Sequence, residues 1–277
     1  NEFLSPIEKH QNEDQAAKLK KLINPFIMRR NKGEVAKDLP ALSEQLIFCN
    51  MSEVQSSYYE KEKSKARNIV LQNIDKQGIE KSSIIILKSL TRLRQIANHP
   101  VLVNAEYSYH SGKFDEITRN LESIVAEGHK ALVFSSFVKH LDLFVNFFNE
   151  KKLSYSYLTG DTTNRGETIR QFQDKEDIRV FLISLRAGGF GLNLTAADYV
   201  FLLDPWWNPA AEQQALSRAH RIGQKKNVFV YRFIAKDSIE EKILKLQERK
   251  KELADVFINN NNPFKQLSKE DIVDLFN

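Results

Sequence analysis

The 277-residue sequence has little cysteine and no long apolar run, and each absence excludes a class of protein. A single cysteine, Cys49, excludes an intrachain disulfide framework and a cysteine-rich zinc site. No apolar run approaches the roughly 18 residues of a membrane-spanning helix, and the first residues do not resemble a signal peptide. We therefore expect a protein of a reducing, cytoplasmic setting that does not use a membrane.

The sequence also lacks the common patterns for binding triphosphates and metals. No Gly-Lys-Ser/Thr loop of the Walker A type occurs in it, and no Asp-Glu pair follows an apolar strand to hold magnesium. The six histidines form no His-x-His or His-x-x-x-His pair, so no metal site is predicted. The chain therefore lacks a triphosphate-binding loop of its own.

What is present is an ordinary globular composition with a locally concentrated positive charge. Hydrophobic residues make up 42% and charged residues 28%, and the length corresponds to about two compact units. The net charge is +5, yet residues 18–37 alone hold seven basic residues against one acidic residue, a net of +6. Such a stripe can attract nucleic-acid phosphate, and a solvated helix face is an equally good interpretation of the charge alone.

The sequence pattern changes near residue 111. Before it, apolar residues recur at helical spacing in residues 15–27 and 84–97, and one short strand is predicted at residues 45–50. Ser52 and Gln55 resemble a capping box at the start of another helix.

After residue 111, short apolar runs alternate with amphipathic stretches such as residues 141–149 and 168–173. Continuous apolar runs are typical of strands buried on both faces of a parallel sheet, so the pattern predicts an α/β fold. A charged helix over residues 238–257 is expected to pack back on the sheet. The predicted strands cover residues 131–134, 155–158, 180–183, 199–203 and 228–234.

Ligands of open parallel sheets bind beyond the carboxyl ends of the strands, where three segments of this sequence lie: residues 135–137, 184–193 and 204–209. The glycines of residues 188–191 could let the backbone approach a phosphate or could simply form a tight turn. Trp206 and Trp207 are either packed in the core or partly exposed to contact nucleic acid or a partner.

Two arginines, Arg218 and Arg221, lie three residues apart on a predicted helix and are expected to share one face. Two guanidinium groups on one face can clamp a polyphosphate. Because the chain has no phosphate loop, they would act on a nucleotide held elsewhere, as arginine fingers do. The alternative is a pair of surface arginines in salt bridges. His220 is interpreted as a structural or interface residue rather than a base, and Cys49 as buried rather than nucleophilic.

Taken in order, these segments resemble the carboxyl-terminal motor lobe of Swi/Snf-type ATPases, a branch of the superfamily-two helicase-like translocases. Spacing between Gly160 and Arg165, together with Pro205-Trp-Trp-Asn208 and the short ending, resembles bacterial members. The segments that carry the resemblance are Asn24-Pro-Phe-Ile-Met-Arg-Arg30, Asp38-Leu-Pro40, Leu93-Arg-Gln-Ile-Ala-Asn-His-Pro100, Ser111-Gly-Lys113, Leu132-Val-Phe-Ser-Ser-Phe137, Leu158-Thr-Gly-Asp-Thr162 with Arg165, residues 184–193, residues 204–209 and Arg218-Ala-His-Arg-Ile-Gly-Gln224.

The resemblance implies a RecA-like lobe with a central parallel sheet flanked by helices, plus a family-specific helical elaboration. It also implies that the chain begins just past a first lobe, which carries the phosphate loop. The implied organisation is a basic interlobe linker in residues 1–44, a strand and helical elaboration in residues 45–110, the RecA-like lobe in residues 111–237, and a bracing helix and tail in residues 238–277.

Roles for individual residues also follow from the resemblance. ATP with Mg²⁺ is expected between the two lobes, with the Mg²⁺ ligands on the first lobe. Arg221 matches the principal finger, Arg218 its companion, and Gln214 a glutamine that couples the site to the other lobe. The positions that match the nucleotide edge are Gly189, Gly191 and Asn193. The positions that match DNA contacts are Ser135, Gly160, Ser184, Arg186, Trp207, Arg29 and Arg30. Ser217 departs from the Gly, Asp or Glu that usually precedes the companion arginine.

The implied function is the second motor lobe of an ATP-dependent double-stranded DNA translocase or remodeller, which is an ATPase at full length and inactive as this fragment. Its expected partners are double-stranded DNA, the first RecA-like lobe of the same protein, and RNA polymerase, as for some bacterial relatives. The expected location is the bacterial cytoplasm, or the nucleus if the protein is eukaryotic. The alternative is a nucleic-acid-binding or RNA-polymerase-associated module without activity of its own.

Overall fold

The computed structural model describes residues 18, 19, 22, 39–189, 192–207, 209–252 and 268–277. Within residues 249–252 it describes the backbone alone. Residues 40–277 form one compact unit. The helix predicted at residues 15–27 falls almost entirely outside the described residues, as do Arg29, Arg30, Gly191 and the end of the helix predicted at residues 238–257.

One parallel sheet of six strands organises this unit, in the spatial order β1-β6-β5-β2-β4-β3. All five strands predicted after residue 111 are confirmed, and the strand predicted at residues 45–50 is the edge strand β1, which begins three residues earlier and pairs with β6. The predicted boundary between residues 44 and 45 therefore falls inside a strand. The bounds are Leu42–Cys49 (β1), Ala131–Ser135 (β2), Tyr155–Leu158 (β3), Val180–Ser184 (β4), Tyr199–Leu202 (β5) and Val228–Ala235 (β6).

Both faces of the sheet are covered, which explains the continuous apolar runs. Along β2, Leu132 and Phe134 enter one core cluster, whereas Ala131 and Val133 enter the cluster on the opposite face. Successive side chains of a strand point to opposite faces, so a strand buried twice must be apolar at every position. All five residues of β2 and all five of β4 are buried.

Seven helices are described, and four of them cover the sheet. Helices α2 and α3 pack on one face and α4 and α5 on the other, as the membership of the two core clusters shows. No helix in the described ranges is long and apolar enough to cross a membrane. The bounds are Glu53–Asn98 (α1), Gly112–Ala126 (α2), Val138–Lys151 (α3), Arg165–Asp174 (α4), Pro209–Ala219 (α5), Ile239–Glu252 (α6) and Lys269–Leu275 (α7).

Helix α1 is a helical hairpin rather than one rod. Gly78 interrupts it with a φ of 79° and a ψ of 171°, a conformation that glycine adopts readily. The two arms run antiparallel, since Arg92 Nε lies 2.8 Å from a carboxylate oxygen of Glu62 and Gln55 donates to the carbonyl of Ile96 at 3.0 Å. The predicted helix at residues 84–97 is the second arm.

A third core cluster joins this hairpin to the end of the chain. Buried residues of both arms pack with Ile239 and Ile243 of α6 and with Ile272 and Leu275 of α7. The charged helix predicted at residues 238–257 therefore packs mainly on the hairpin, and it reaches the sheet through Ala235 at the end of β6.

A buried ion pair stabilises the base of the hairpin, which is the end opposite the turn at Gly78. The ammonium of Lys113 lies 2.7 and 2.8 Å from the two carboxylate oxygens of Glu240 and 2.8 Å from the side-chain oxygen of Asn98. The side chains of Lys113 and Glu240 are 1% and 0% exposed. Lys113 lies at the start of α2, Glu240 at the start of α6 and Asn98 at the end of α1. This cluster of three side chains therefore connects three helices.

The same junction explains the glycine of Ser111-Gly-Lys113. A β-carbon at Gly112 would lie 2.0 Å from the carbonyl oxygen of Asn50, so no other residue fits without moving the backbone. The Gly112 amide donates to the side chain of Gln55 at 3.3 Å. Gln55 therefore binds at the base of the hairpin instead of closing the predicted capping box, although Ser52 accepts from the Gln55 amide at 3.2 Å as expected.

We expect Lys113→Met to lower the free energy of unfolding by about 3–5 kcal/mol, because it leaves the Glu240 carboxylate buried without its cation. Urea unfolding followed by circular dichroism measures the change. The matched control is Lys151→Met, which breaks a pair with Glu122 between side chains 54% and 44% exposed and should cost at most about 1 kcal/mol. Equal losses for the two variants would contradict the importance of the buried pair.

Two histidines, the half-buried His99 and the buried His140, make the fold sensitive to acid. Burial lowers the pKa of His99 to about 4, and its Nδ1 accepts the Val101 amide at 3.2 Å, which requires the neutral ring. Burial and then the charge of Lys113 lower the pKa of His140 well below the ordinary 6.5. Below about pH 6.5 the two histidines are therefore protonated in the unfolded chain while they stay neutral in the folded chain.

We accordingly expect stability to fall as the pH drops from about 6.5 towards 4. His140→Gln should make this decline shallower by up to about 1.4 kcal/mol per pH unit, because the unfolded chain then has one histidine fewer to protonate. The measurement is urea unfolding at several pH values between 7 and 5, and the variants are compared by the slope of the unfolding free energy against pH. His110→Gln, at a side chain 88% exposed, is the control and should leave the slope as it is.

Candidate functional site

Three loops meet at the carboxyl edge of the sheet, where the sequence predicts a ligand site. Strand β2 lies between β5 and β4, so the loop after β2 has a neighbour on each side. The amide of Leu185, after β4, donates to the carbonyl of Ser135 at 2.9 Å, and the amide of Leu203, after β5, donates to the carbonyl of Phe134 at 3.0 Å. The three predicted segments therefore form one contiguous surface.

The glycine segment after β4 forms a tight turn over the core. A short 3-10 helix spans Ala187–Gly189, and its Ala187 amide donates to the hydroxyl of Ser184 at 3.3 Å. A β-carbon at Gly188 would lie 3.1 Å from the ring of Phe134, so a larger residue there would require that ring to shift by a few tenths of an ångström. This favours the tight-turn interpretation for Gly188, while Gly189 ends the 3-10 helix beside it.

Arg218 lies against this turn, but the prediction that Arg218 and Arg221 share one helical face is wrong. Helix α5 ends at Ala219, so Arg218 is in its last turn and Arg221 follows in the next bend. Arg218 Nε donates to the Gly188 carbonyl at 3.1 Å. Burial and then the positive charge of Arg221 lower the pKa of Arg218.

Two further residues expected near the nucleotide, Gln214 and Asn193, are exposed. Gln214 is exposed on α5, five residues after its first residue, Pro209. Asn193 is exposed and its carbonyl accepts from the side chain of Gln173 at 3.0 Å. His220 contacts the Pro40 carbonyl through Nε2 at 2.8 Å, in agreement with a structural role.

The residues expected to contact DNA divide by exposure. Arg186 and Gly160 are exposed, and Trp207 is half-buried. The hydroxyls of Ser135 and Ser184 belong to residues 0% and 4% exposed, and both hydroxyls have protein partners. A phosphate contact by either hydroxyl stays a prediction: the Ser135 hydroxyl would have to stop donating to Asp204, whereas the Ser184 hydroxyl accepts from Ala187 and keeps its own proton to donate.

A buried carboxylate, Asp204, holds the loop after β2. It accepts from the hydroxyl of Ser135 at 2.6 Å, from the amide of Ser136 at 3.1 Å and from the Ser136 hydroxyl. Arg94, on the second arm of the hairpin, donates to the same carboxylate at 3.0 Å. The side chains of Arg94 and Asp204 are 3% and 0% exposed, so this is a buried ion pair.

The Arg94 guanidinium also packs against the tryptophan loop, which is the segment after β5 that includes residues 204–207. It donates to the Pro205 carbonyl at 2.8 Å and lies 5.0, 5.3 and 6.0 Å from the ring centres of Phe137, Trp206 and Trp207. Sequence reasoning missed Arg94 as a member of the site. Its only signal was its place in Leu93-Arg-Gln-Ile-Ala-Asn-His-Pro100, some 110 residues from its partner along the chain.

The tryptophan loop is anchored from its other side as well. The amide of Trp206 donates to Glu212 of α5 at 2.7 Å, and Gln247 of α6 donates to the Trp206 carbonyl. Glu212 in turn pairs with Arg232 of β6. Both tryptophans are half-buried, so each alternative drawn from the sequence holds in part: the rings pack inward and keep an accessible edge.

Comparisons with known proteins agree with this geometry. The family model described as "SNF2-related domain" matches residues 1–102, and the one described as "Helicase conserved C-terminal domain" matches residues 112–223. Together they cover the helical hairpin and five of the six strands of the sheet, and β6 follows the second matched range.

Bacterial relatives match along almost the whole chain. An uncharacterized ATP-dependent helicase of Mycoplasma genitalium is 35% identical over 99% of this chain and 26% of its own length. The putative ATP-dependent helicase/translocase YwqA of Bacillus subtilis is 35% identical over 99% of this chain and 30% of its own length. The chain thus spans less than a third of these relatives.

Solved structures match in fold as well as in sequence. The Sulfolobus solfataricus SWI2/SNF2 ATPase core in complex with dsDNA superposes with a TM-score of 0.72 at 32% identity, covering 98% of this chain and 58% of that one. The C-terminal domain of the Sulfolobus ATPase superposes with a TM-score of 0.68 at 29% identity, covering 83% of this chain and 96% of that one. The chain belongs to the Swi2/Snf2-type ATPases and carries the helicase C-terminal domain of that family.

Proposed function

We propose that this chain is the second motor lobe of an ATP-dependent double-stranded DNA translocase or remodeller. In this proposal it supplies Arg218 and Arg221 to an ATP molecule held by a first lobe. The observation that carries the proposal is the placement of Arg218, which donates to the Gly188 carbonyl at the carboxyl edge of the sheet and whose pKa is lowered by the charge of Arg221, in a sequence without a phosphate loop.

The electrostatics of the arginine pair support an anionic ligand. Arg218 is partly buried beside a second cation, and both burial and the charge of Arg221 lower its pKa. A polyphosphate between the two guanidiniums would relieve this repulsion through charge-assisted hydrogen bonds. Arg221 is exposed, so it can reach a nucleotide on another domain.

The residues present fit the triphosphate end of ATP and not its magnesium. Among the described residues there is no group of three or more His, Cys, Asp or Glu side chains that could hold a metal ion. We therefore assign the Mg²⁺ ligands to the first lobe. Bound ATP would supply the γ-phosphoryl group that is transferred to water, and the role of this chain would be to stabilise the developing charge.

DNA binding is proposed for the same edge of the sheet. Arg186 is exposed after β4, Gly160 is exposed after β3, and the tryptophan loop follows β5. A β-carbon at Gly160 would meet nothing within 4 Å, which leaves room for a close backbone approach. The Sulfolobus relative was solved with dsDNA, which supports the same ligand here. Contacts of this kind hold phosphate and do not read base sequence.

A second candidate function is a nucleic-acid-binding module without activity of its own. The absence of a Walker A loop from this sequence favours it, since half of an ATP site cannot hydrolyse ATP. Association with RNA polymerase is a further possibility for such a module, and co-purification of the two proteins would test it.

For the motor proposal, we expect Arg221→Ala in the full-length protein to preserve ATP binding and to lower DNA-dependent ATP hydrolysis by about 10³-fold or more, the usual effect of losing an arginine finger. A phosphate-release assay measures hydrolysis, and binding of a fluorescent ATP analogue measures affinity. Arg119→Ala is the control, because this exposed arginine on α2 pairs only with Glu116 among the contacts described. Near-normal turnover by Arg221→Ala would refute the assignment.

For the chain by itself, we expect salt-sensitive DNA binding and no ATPase activity. Arg186→Ala should weaken binding to duplexes of different sequence about equally and make the dependence on salt less steep, because a phosphate contact is lost. Fluorescence anisotropy at several salt concentrations measures both effects. Robust ATP turnover by the purified chain would contradict the two-lobe proposal.

A further inference from the structure

The buried Arg94 side chain contacts two loops of the proposed DNA-binding surface. Its guanidinium joins the loop after β2, through Asp204 and the hydroxyl of Ser136 at 3.1 Å, to the loop after β5, through the Pro205 carbonyl. Arg94 itself is 2% exposed and cannot reach DNA. Whatever it contributes to binding must therefore act through these loops.

The guanidinium combines hydrogen bonds to both loops with contacts to three aromatic rings. Three hydrogen-bond acceptors, on Asp204, Pro205 and Ser136, lie within 3.1 Å of the same Arg94 nitrogen, while the guanidinium carbon lies over the aromatic rings. A lysine ammonium could still pair with Asp204 and attract a ring, but it is a compact point charge without the planar surface that the guanidinium presents to the rings.

We propose that Arg94 is a positioning residue for DNA binding, which holds the ring of Trp207 in the orientation that meets the nucleic acid. The proposal rests on the proposed function, since it presumes that Trp207 contacts DNA. It assigns the second arm of the hairpin a role in DNA binding without any contact of its own. Movement of α1 relative to the sheet would then change the tryptophan loop directly.

The sequence offers an unusually clean probe of this loop. Its only two tryptophans are Trp206 and Trp207, so the intrinsic tryptophan fluorescence of the chain reports this loop alone. We expect Arg94→Lys to shift the emission spectrum and to weaken DNA binding by about fivefold or more, the scale of a misplaced aromatic contact. The control is Arg92→Lys, on the same helical arm, where the arginine pairs with Glu62 instead.

A double-mutant cycle separates positioning from general stability. DNA affinity is measured by anisotropy for the wild type, Arg94→Lys, Trp207→Ala and the double variant, each checked by thermal unfolding. If Arg94 acts through Trp207, Arg94→Lys has little further effect once Trp207 is alanine. An equal loss in both backgrounds, or no loss in either, would overturn the proposal.

The outcomes also distinguish this proposal from the one on which it rests. If Trp207→Ala leaves DNA affinity unchanged, the tryptophan contact of the proposed function fails, and the positioning role fails with it. If Trp207→Ala weakens binding while Arg94→Lys adds an independent loss, only the role of Arg94 fails. Should Arg94→Lys not fold, Phe137→Leu removes one ring from the guanidinium without changing charge, and the same emission shift and non-additivity are expected of it.

Discussion

The carboxylate of Asp204 is the group on which the functional edge of the sheet depends. It is buried at the end of β5, where a lone charge would be costly, and it is stabilised only because Ser135, Ser136 and Arg94 all donate to it. These donors come from the loop after β2 and from the helical hairpin. Satisfying one buried carboxylate therefore fixes the relative positions of two loops and a helix, and the tryptophans are carried with them.

A second buried charge pair has the corresponding role at the base of the hairpin. Lys113 and Glu240 connect the start of α2 with the start of α6, and Asn98 connects both to the end of α1. The hairpin is thus tied to the sheet at two places, through Arg94 and through Asn98, four residues apart on the same arm. This makes the helical elaboration part of one structural unit with the RecA-like sheet rather than an appendage.

Periodicity and burial explain which parts of the fold and of the candidate site could be predicted from the sequence alone. Strands β2 and β4 were predictable because two-sided burial leaves an apolar residue at every position, and the ordered motifs identified the family. The location of Arg221 was predicted wrongly, because helix spacing was extended two residues past the end of α5. Arg94 was not identified as part of the site because an ion pair spanning 110 residues leaves no local pattern.

The sequence by itself determined the α/β class, most of the strands, the lack of a triphosphate loop and the family, since all of these are encoded in composition, local periodicity or short ordered motifs. Only the tertiary structure decided that β1 closes the sheet beside β6, that the Gly188 turn is the partner of Arg218, and that Arg94 lies beneath the tryptophans. The physical reason is that buried polar groups must find their partners in space, and those partners are supplied by distant parts of the chain.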